Sequence, residues 1–140
     1  DKIGPSGASA AYFTMDKAMQ YHFIKDKNIA ISSDGSPTMH HPRGYGSFSK
    51  VIQTFALEEK FFSIQESIRK MTSLPANIIG LKKRGKISTG FKADILIFNP
   101  DSIQSNATFT SPHQISTGID HIIINGKSER GYGRLLKKNR

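Results

Sequence analysis

No cysteine occurs in the 140 residues, which excludes disulfides and thiolate metal sites. Long apolar runs are missing too, and nothing approaches the roughly 18 consecutive apolar residues of a membrane span. The opening stretch DKIGPSGAS has no apolar centre of the kind a secretory signal carries. Low-complexity tracts and internal repeats are absent. Together these absences give the expectation of a cytoplasmic protein that works without a membrane. The chain opens on Asp1 rather than Met, which points to a processed chain or an excised piece of a longer one.

Acidic residues are scarce beside basic ones, 11 against 20, and the formal net charge is +9. Such an excess raises nucleic acid as a partner. One cluster is Lys82, Lys83, Arg84 and Lys86; the other is Arg130, Arg134, Lys137, Lys138 and Arg140. Neither has interleaved aromatics at RNA-binding spacing, and no helix-turn-helix pattern is present. The second cluster is a terminal tail, where solvated charge is the ordinary expectation. Nucleic acid is therefore not expected as a partner, although a non-catalytic basic binding module stays open as a rival to an enzyme. With 36% hydrophobic, 22% charged and 9% aromatic residues, the composition is globular. The length suits one domain with a real core, or parts of two.

Asp16 to Lys27 reads as a helix, with Ala18, Met19, His22 and Phe23 on one side. A β-branched run, Ile29 to Ile31, follows and stops at Ser32-Ser33-Asp34-Gly35. Helix, strand and polar loop in that order is the grammar of a parallel α/β fold. Ala8 to Phe13 suits a strand end. The stretch SPTMHHPRGYGS, with two prolines, two glycines and two histidines, predicts a loop. Phe48, Val51, Ile52 and Phe55 then recur at helical spacing. Ser63 with Glu66 forms an S-x-x-E capping box; Ile64, Ile68 and Met71 mark the buried face of that helix and Pro75 its end. Ala76 to Leu81 suits one more turn, capped by Gly80. Beyond Leu81 the texture changes. Ile95 to Phe98 and His121 to Ile124 are short apolar runs, the first stopped by Asn99-Pro100-Asp101 and the second by Asn125-Gly126, a dipeptide suited to a type I′ hairpin turn. Residues 1–81 therefore read as α/β, and residues 82–140 as short strands with turns and a basic tail.

Asp34 is the strongest candidate for chemistry. It directly follows a strand and opens a long loop, where α/β folds place catalytic groups. A carboxylate there can hold a metal-bound water and shuttle its proton; a turn or helix-capping aspartate in a Ser-Asp-Gly corner is the other reading. His40 and His41 are adjacent, so they point apart and make a poor ligand pair compared with H-x-H. His22, His113 and His121 are isolated and read as surface or structural. Arg43 can clamp a carboxylate through its bidentate fork, or can simply be a surface arginine.

The strings ISSDGSP and HHPRGYGSF resemble the SDG-x-P and HPR-x-YG-(T/S)-F signatures of the N-acyl-D-amino-acid deacylase (D-aminoacylase) family of amidohydrolases. SIQESIRKMTSLPANIIGL, RGKISTGFKADILIFNPDSI and ATF followed by SPHQISTGIDHIIING are similar to later segments of the same family. GASAAYFTMDKAMQ resembles the segment leading into its last barrel strand. The likeness covers residues 7 to 126. The R-G-x-I…A-D-I part is common to amidohydrolases at large, and the DG-x-P…HPR pairing points to the D-aminoacylase branch.

This resemblance implies the C-terminal part of a (β/α)₈ barrel in residues 1–81 and a β-sandwich segment in residues 82–140. It implies hydrolysis of N-acyl-D-amino acids to a carboxylate and a D-amino acid. Asp34 matches the aspartate that ends the eighth strand, takes a proton from a zinc-bound water and protonates the leaving amine. Arg43 matches the arginine implied to contact the substrate's carboxylate. The family's H-x-H motif is missing, so zinc belongs to the intact enzyme and none is expected in this chain alone. The partners implied are the small-molecule N-acyl-D-amino acid and an N-terminal part of the barrel, with self-association in its absence. Another amidohydrolase, dihydroorotase- or hydantoinase-like, is the alternative enzyme.

Overall fold

A computed structural model describes residues 13–36 and 38–128. Helix α1, Lys17–Lys25, starts at Asp16, whose carboxylate accepts from the Ala18 N–H at 3.3 Å. Its buried residue is Ile24, with Tyr21 packed beside it, whereas Met19 and Phe23 are exposed. The stripe of Ala18, Met19, His22 and Phe23 thus faces away from the core of this chain. The helix turns its other side to the aromatic cluster, where Tyr21 meets Phe61 edge-on at 4.7 Å and its hydroxyl donates to Glu59 at 3.1 Å.

Residues 29–31, expected as a strand, form none and pair with no strand among the described residues. A β-branched run favours extension, and a ladder needs a neighbour. Here the Ile31 N–H donates instead to the Lys70 carbonyl at 3.0 Å.

The glycine-rich loop ends earlier than the sequence predicts. Helix α2, Arg43–Lys50, already includes Gly44 and Gly46. Glycine weakens a helix interior, but a Cβ on Gly46 would stand 2.2 Å from the Ser105 Oγ, so close packing fixes its identity. The chain continues directly into a π-helix, Val51–Glu58, whose wide turn shows in the Glu59 N–H to Thr54 carbonyl bond at 2.8 Å. Val51, Ile52, Phe55 and Ala56 are buried there, and Ile24, Val51 and Phe55 form the core cluster.

Helix α3, Ile64–Met71, opens on Ser63, whose hydroxyl accepts from the Glu66 N–H at 3.1 Å. The reciprocal half of the box is not made, because the Glu66 carboxylate is taken by Arg69 at 2.7 Å. The buried face centres on Ser67 and Lys70, a rotation away from the predicted Ile64, Ile68 and Met71. Pro75 does not end this helix. It lies in the first turn of α4, Ser73–Ile78, where its missing N–H leaves no bond unmade. Gly80, at φ +74°, closes α4, with Leu81 N–H to Ala76 and Gly80 N–H to Asn77 at 2.8 and 3.2 Å, the paired bonds of a Schellman cap.

Strands β1, Ile95–Phe98, and β2, Ile119–Ile123, pair antiparallel, with Ile95 opposite Ile123 and a bulge after Ile97. Asn125 and Gly126 both take positive φ, 52° and 80°, and Ile124 and Lys127 exchange backbone bonds across them, the type I′ geometry. Asp94 ties this region together: its carboxylate accepts from the Asn125 N–H at 2.8 Å and pairs with Arg84. Arg84 of the first basic cluster is thus paired within the fold. The strand end expected from Ala8, up to Tyr12, and the basic tail from Arg130 lie outside the described residues.

Candidate active site

Residues 29–33, outside any helix or strand, deliver the chain to a corner of two serine turns. The Asp34 N–H donates to the Ser32 Oγ at 3.5 Å and the Gly35 N–H to the Ser33 Oγ at 3.2 Å. Asp34 itself takes φ +47°, a left-handed conformation that aspartate tolerates better than most residues and that gathers at functional sites. Its side chain is 83% exposed.

Gly35 brings this corner against α2. A Cβ there would stand 2.7 Å from the Gly44 Cα, so the SDG loop and the first turn of α2 touch backbone to backbone. That approach brings Arg43, the first residue of α2, to Asp34, and their side chains pair at 3.0 Å. The structure thus joins the two residues that sequence reasoning singled out. Arg43 is held from behind as well: its Nε donates to the Met39 Sδ at 3.2 Å and its backbone N–H to the His41 Nδ1 at 3.1 Å. Since Nδ1 accepts, neutral His41 carries its proton on Nε2.

A loop from the second half of the chain backs this arrangement. His113 Nε2 lies 3.0 Å from the Met39 carbonyl, and a carbonyl only accepts, so His113 donates. Its ring stands 4.9 Å from His40 and 5.2 Å from Tyr45, and Phe109 meets His41 edge-on at 5.0 Å. His113 is the satisfied structural histidine the sequence suggests, with the added role of bracing the Arg43 loop. Lys70 is a buried group that sequence reasoning missed. Its position three residues after Ser67, on the face that turns inward, is the signal that was available.

A groove of about 860 Å³ opens beside Arg43, with Ile24, Ile31, Val51, Phe55 and Phe109 among its walls. Arg43, Lys17 and Lys50 bring cations and Glu59 a carboxylate to its largely apolar walls, and Ser32, two residues before Asp34, lines it as well. Among the described residues, no group of three or more His, Cys, Asp or Glu could hold a metal ion. None of the helices there is long and apolar enough to cross a membrane.

Residues 23–128 match the sequence family described as the amidohydrolase family. The chain is 36% identical over 121 residues to an N-acyl-D-glutamate deacylase of Alcaligenes xylosoxydans xylosoxydans, covering 85% of this chain and 25% of that one. It is 36% identical over 128 residues to an N-acyl-D-aspartate deacylase of the same organism, covering 90% and 25%. The solved structure of an N-acyl-D-glutamate deacylase from Bordetella bronchiseptica, complexed with zinc and a phosphonate mimic of the tetrahedral intermediate, superposes with a TM-score of 0.80. That match has 32% identity and covers 83% of this chain and 25% of that one. Dihydroorotases also match, the one from Lactobacillus helveticus at 32% identity over 52% of this chain.

The chain belongs to the amidohydrolase family. Within it, the deacylase relatives and the solved structures place it on the D-aminoacylase branch. It spans about a quarter of the length of the curated deacylases it matches.

Proposed function

We propose that this chain is the C-terminal part of an enzyme that hydrolyses N-acyl-D-amino acids to a carboxylate and a free D-amino acid. Residues up to 81 supply the last strand and flanking helices of a (β/α)₈ barrel, and residues from 82 belong to its small β-sandwich. The observation that carries the reading is the pairing of Asp34 with Arg43 at 3.0 Å, the arginine also lining an apolar groove. The similarity to N-acyl-D-glutamate and N-acyl-D-aspartate deacylases supports the substrate class.

In this reading Asp34 takes a proton from the water that attacks the amide carbonyl carbon. The C–O bond forms, the C–N bond breaks, and Asp34 returns the proton to the departing amine nitrogen. Arg43 binds the substrate's α-carboxylate. A guanidinium has five N–H donors in a fixed fork, and Met39 with Asp34 leaves others for an incoming carboxylate. Zinc, which the Bordetella bronchiseptica deacylase structure contains, would polarise the carbonyl and acidify the water. In this reading its ligands belong to the rest of the barrel, because the H-x-H motif of the resembled family is missing from this sequence.

The test is Asp34→Asn in the full-length enzyme. The amide keeps the shape but cannot carry the proton. Turnover should fall by about 10²- to 10⁴-fold with the fold retained; near-normal turnover would sink the assignment. The dihydroorotase-like alternative rests on a likeness over half of the chain. Turnover of a cyclic amide, with no release of amine from N-acyl-D-amino acids, would favour it.

A further inference from the structure

The largest fully buried side chain of the described residues is not apolar but charged. Lys70 has 0% exposure. Its Nζ donates to the carbonyl of Ile29 at 2.8 Å and also to that of Asp26. Burial pushes its ammonium below the ordinary lysine value. A buried cation is tolerated only where hydrogen bonds compensate it, and it is a costly choice where an apolar residue would pack.

What Lys70 holds is specific. Residues 29–33 have no strand partner among the described residues, and their backbone bonds there are Ile29 N–H to Asp26 and Ile31 N–H to Lys70 itself. Lys70 therefore grips this segment twice. Its side chain takes the carbonyls of Asp26 and Ile29, and its own carbonyl, in the last turn of α3, accepts from the Ile31 N–H at 3.0 Å. Arg69 adds a bond from its guanidinium to the Lys27 carbonyl at 2.5 Å. The segment so gripped runs straight into Asp34, three residues beyond Ile31. Sliding it by one residue would take the Asp26 and Ile29 carbonyls away from the Lys70 ammonium and carry Asp34 with them.

We infer that Lys70 is a positioning residue for the reaction, fixing the axial register of residues 26–31 and thereby the place of the Asp34 carboxylate. The inference rests on the reading of Asp34 as the proton carrier. A displacement of about 1 Å at a reacting group can cost on the order of 10²-fold in rate.

The experiment is a double-mutant cycle in the full-length enzyme with an N-acetyl-D-amino acid as substrate, using Lys70→Met, Asp34→Asn and the pair. Lys70→Met keeps the side-chain length and removes the donor. Its kcat should drop by about 10- to 100-fold, with KM within about threefold and metal content unchanged. Added to Asp34→Asn, it should cost less than about threefold more, because a residue acting through Asp34 has nothing left to position. A variant that melts earlier but keeps its kcat would make Lys70 merely structural and overturn the proposal. So would an equal loss of kcat with and without the Asp34 carboxylate. Should Lys70→Met fail to fold, Lys70→Gln, which retains N–H donors, is read by the same comparison. Failure of both to fold would make Lys70 a folding residue and overturn the proposal. Normal turnover in Asp34→Asn alone would remove the functional reading and the proposal with it. Loss in Asp34→Asn without loss in Lys70→Met removes the proposal only.

Discussion

At the scale of single residues, Arg43 separates charge from geometry. Lysine keeps the positive charge but replaces a planar fork with a compact ammonium. If Arg43 clamps the substrate's α-carboxylate, Arg43→Lys should lower kcat/KM for a free-acid substrate by about 10-fold or more, the loss of one charge-assisted bond being worth about 1.5–3 kcal/mol. The corresponding substrate amide should lose much less. Comparing the two substrates in the full-length enzyme decides the matter, and an equal loss would leave the arginine a purely structural partner of Asp34. Asp34 and Arg43 were singled out by the likeness of ISSDGSP and HHPRGYGSF to the family's signatures; read locally, each was equally open to being a turn aspartate or a surface arginine. The φ of +47° at Asp34 and the approach of Gly35 to Gly44 were not legible in the sequence, since each depends on a second segment of chain. Lys70 was hidden for a related reason: a lysine in an amphipathic helix reads as solvated until its neighbours are known.

At the scale of elements, α3 shows which local signals survive folding. Ser63 caps it as the S-x-x-E spacing predicts, so Ser63→Ala should lower stability by about 1 kcal/mol. Glu66 departs from the box and holds Arg69 instead. The hydrogen bond from Arg69 keeps the Glu66 carboxyl below its ordinary value of 4.5. A carboxyl lowered on folding contributes stability that is present above its unfolded value and is lost as pH falls through the folded one. Glu66→Gln should therefore lower the melting temperature at neutral pH and leave it unchanged in acid well below 4.5. A deficit that persists in acid would mean the carboxylate charge is not what matters. Local chemistry also made Asn125-Gly126 and the Gly80 cap legible, because each is specified within a few residues. The face of α1 was not, because a periodic stripe says which residues lie together without saying what they meet.

At the scale of the whole molecule, several large apolar side chains of the described residues stand exposed. Phe13, Met15, Met19 and Phe23 are 80%, 66%, 54% and 47% exposed, and Met15 and Phe23 also line the groove. Residues 29–33 pair with no strand among the described residues. In the proposed barrel these surfaces meet preceding strands and helices; without them they recruit other chains. The isolated 140-residue chain should accordingly self-associate, bind no stoichiometric zinc after dialysis and release no amine from N-acyl-D-amino acids. Its hydrogen exchange should be uneven. The pair β1 and β2 supply each other's ladder, so their amides should be the slowest to exchange, and those of Ala30, Ser32 and Ser33, which donate to no backbone carbonyl among the described residues, among the fastest. Sedimentation at several concentrations gives the first measurement and residue-resolved exchange the second. Adding the N-terminal part of the barrel in trans should dissolve the oligomer and slow exchange across residues 29–33 together, because one event covers both surfaces. A monomer with uniform protection would show that these residues close a core of their own, and the division at residue 81 between barrel and β-sandwich would then be wrong.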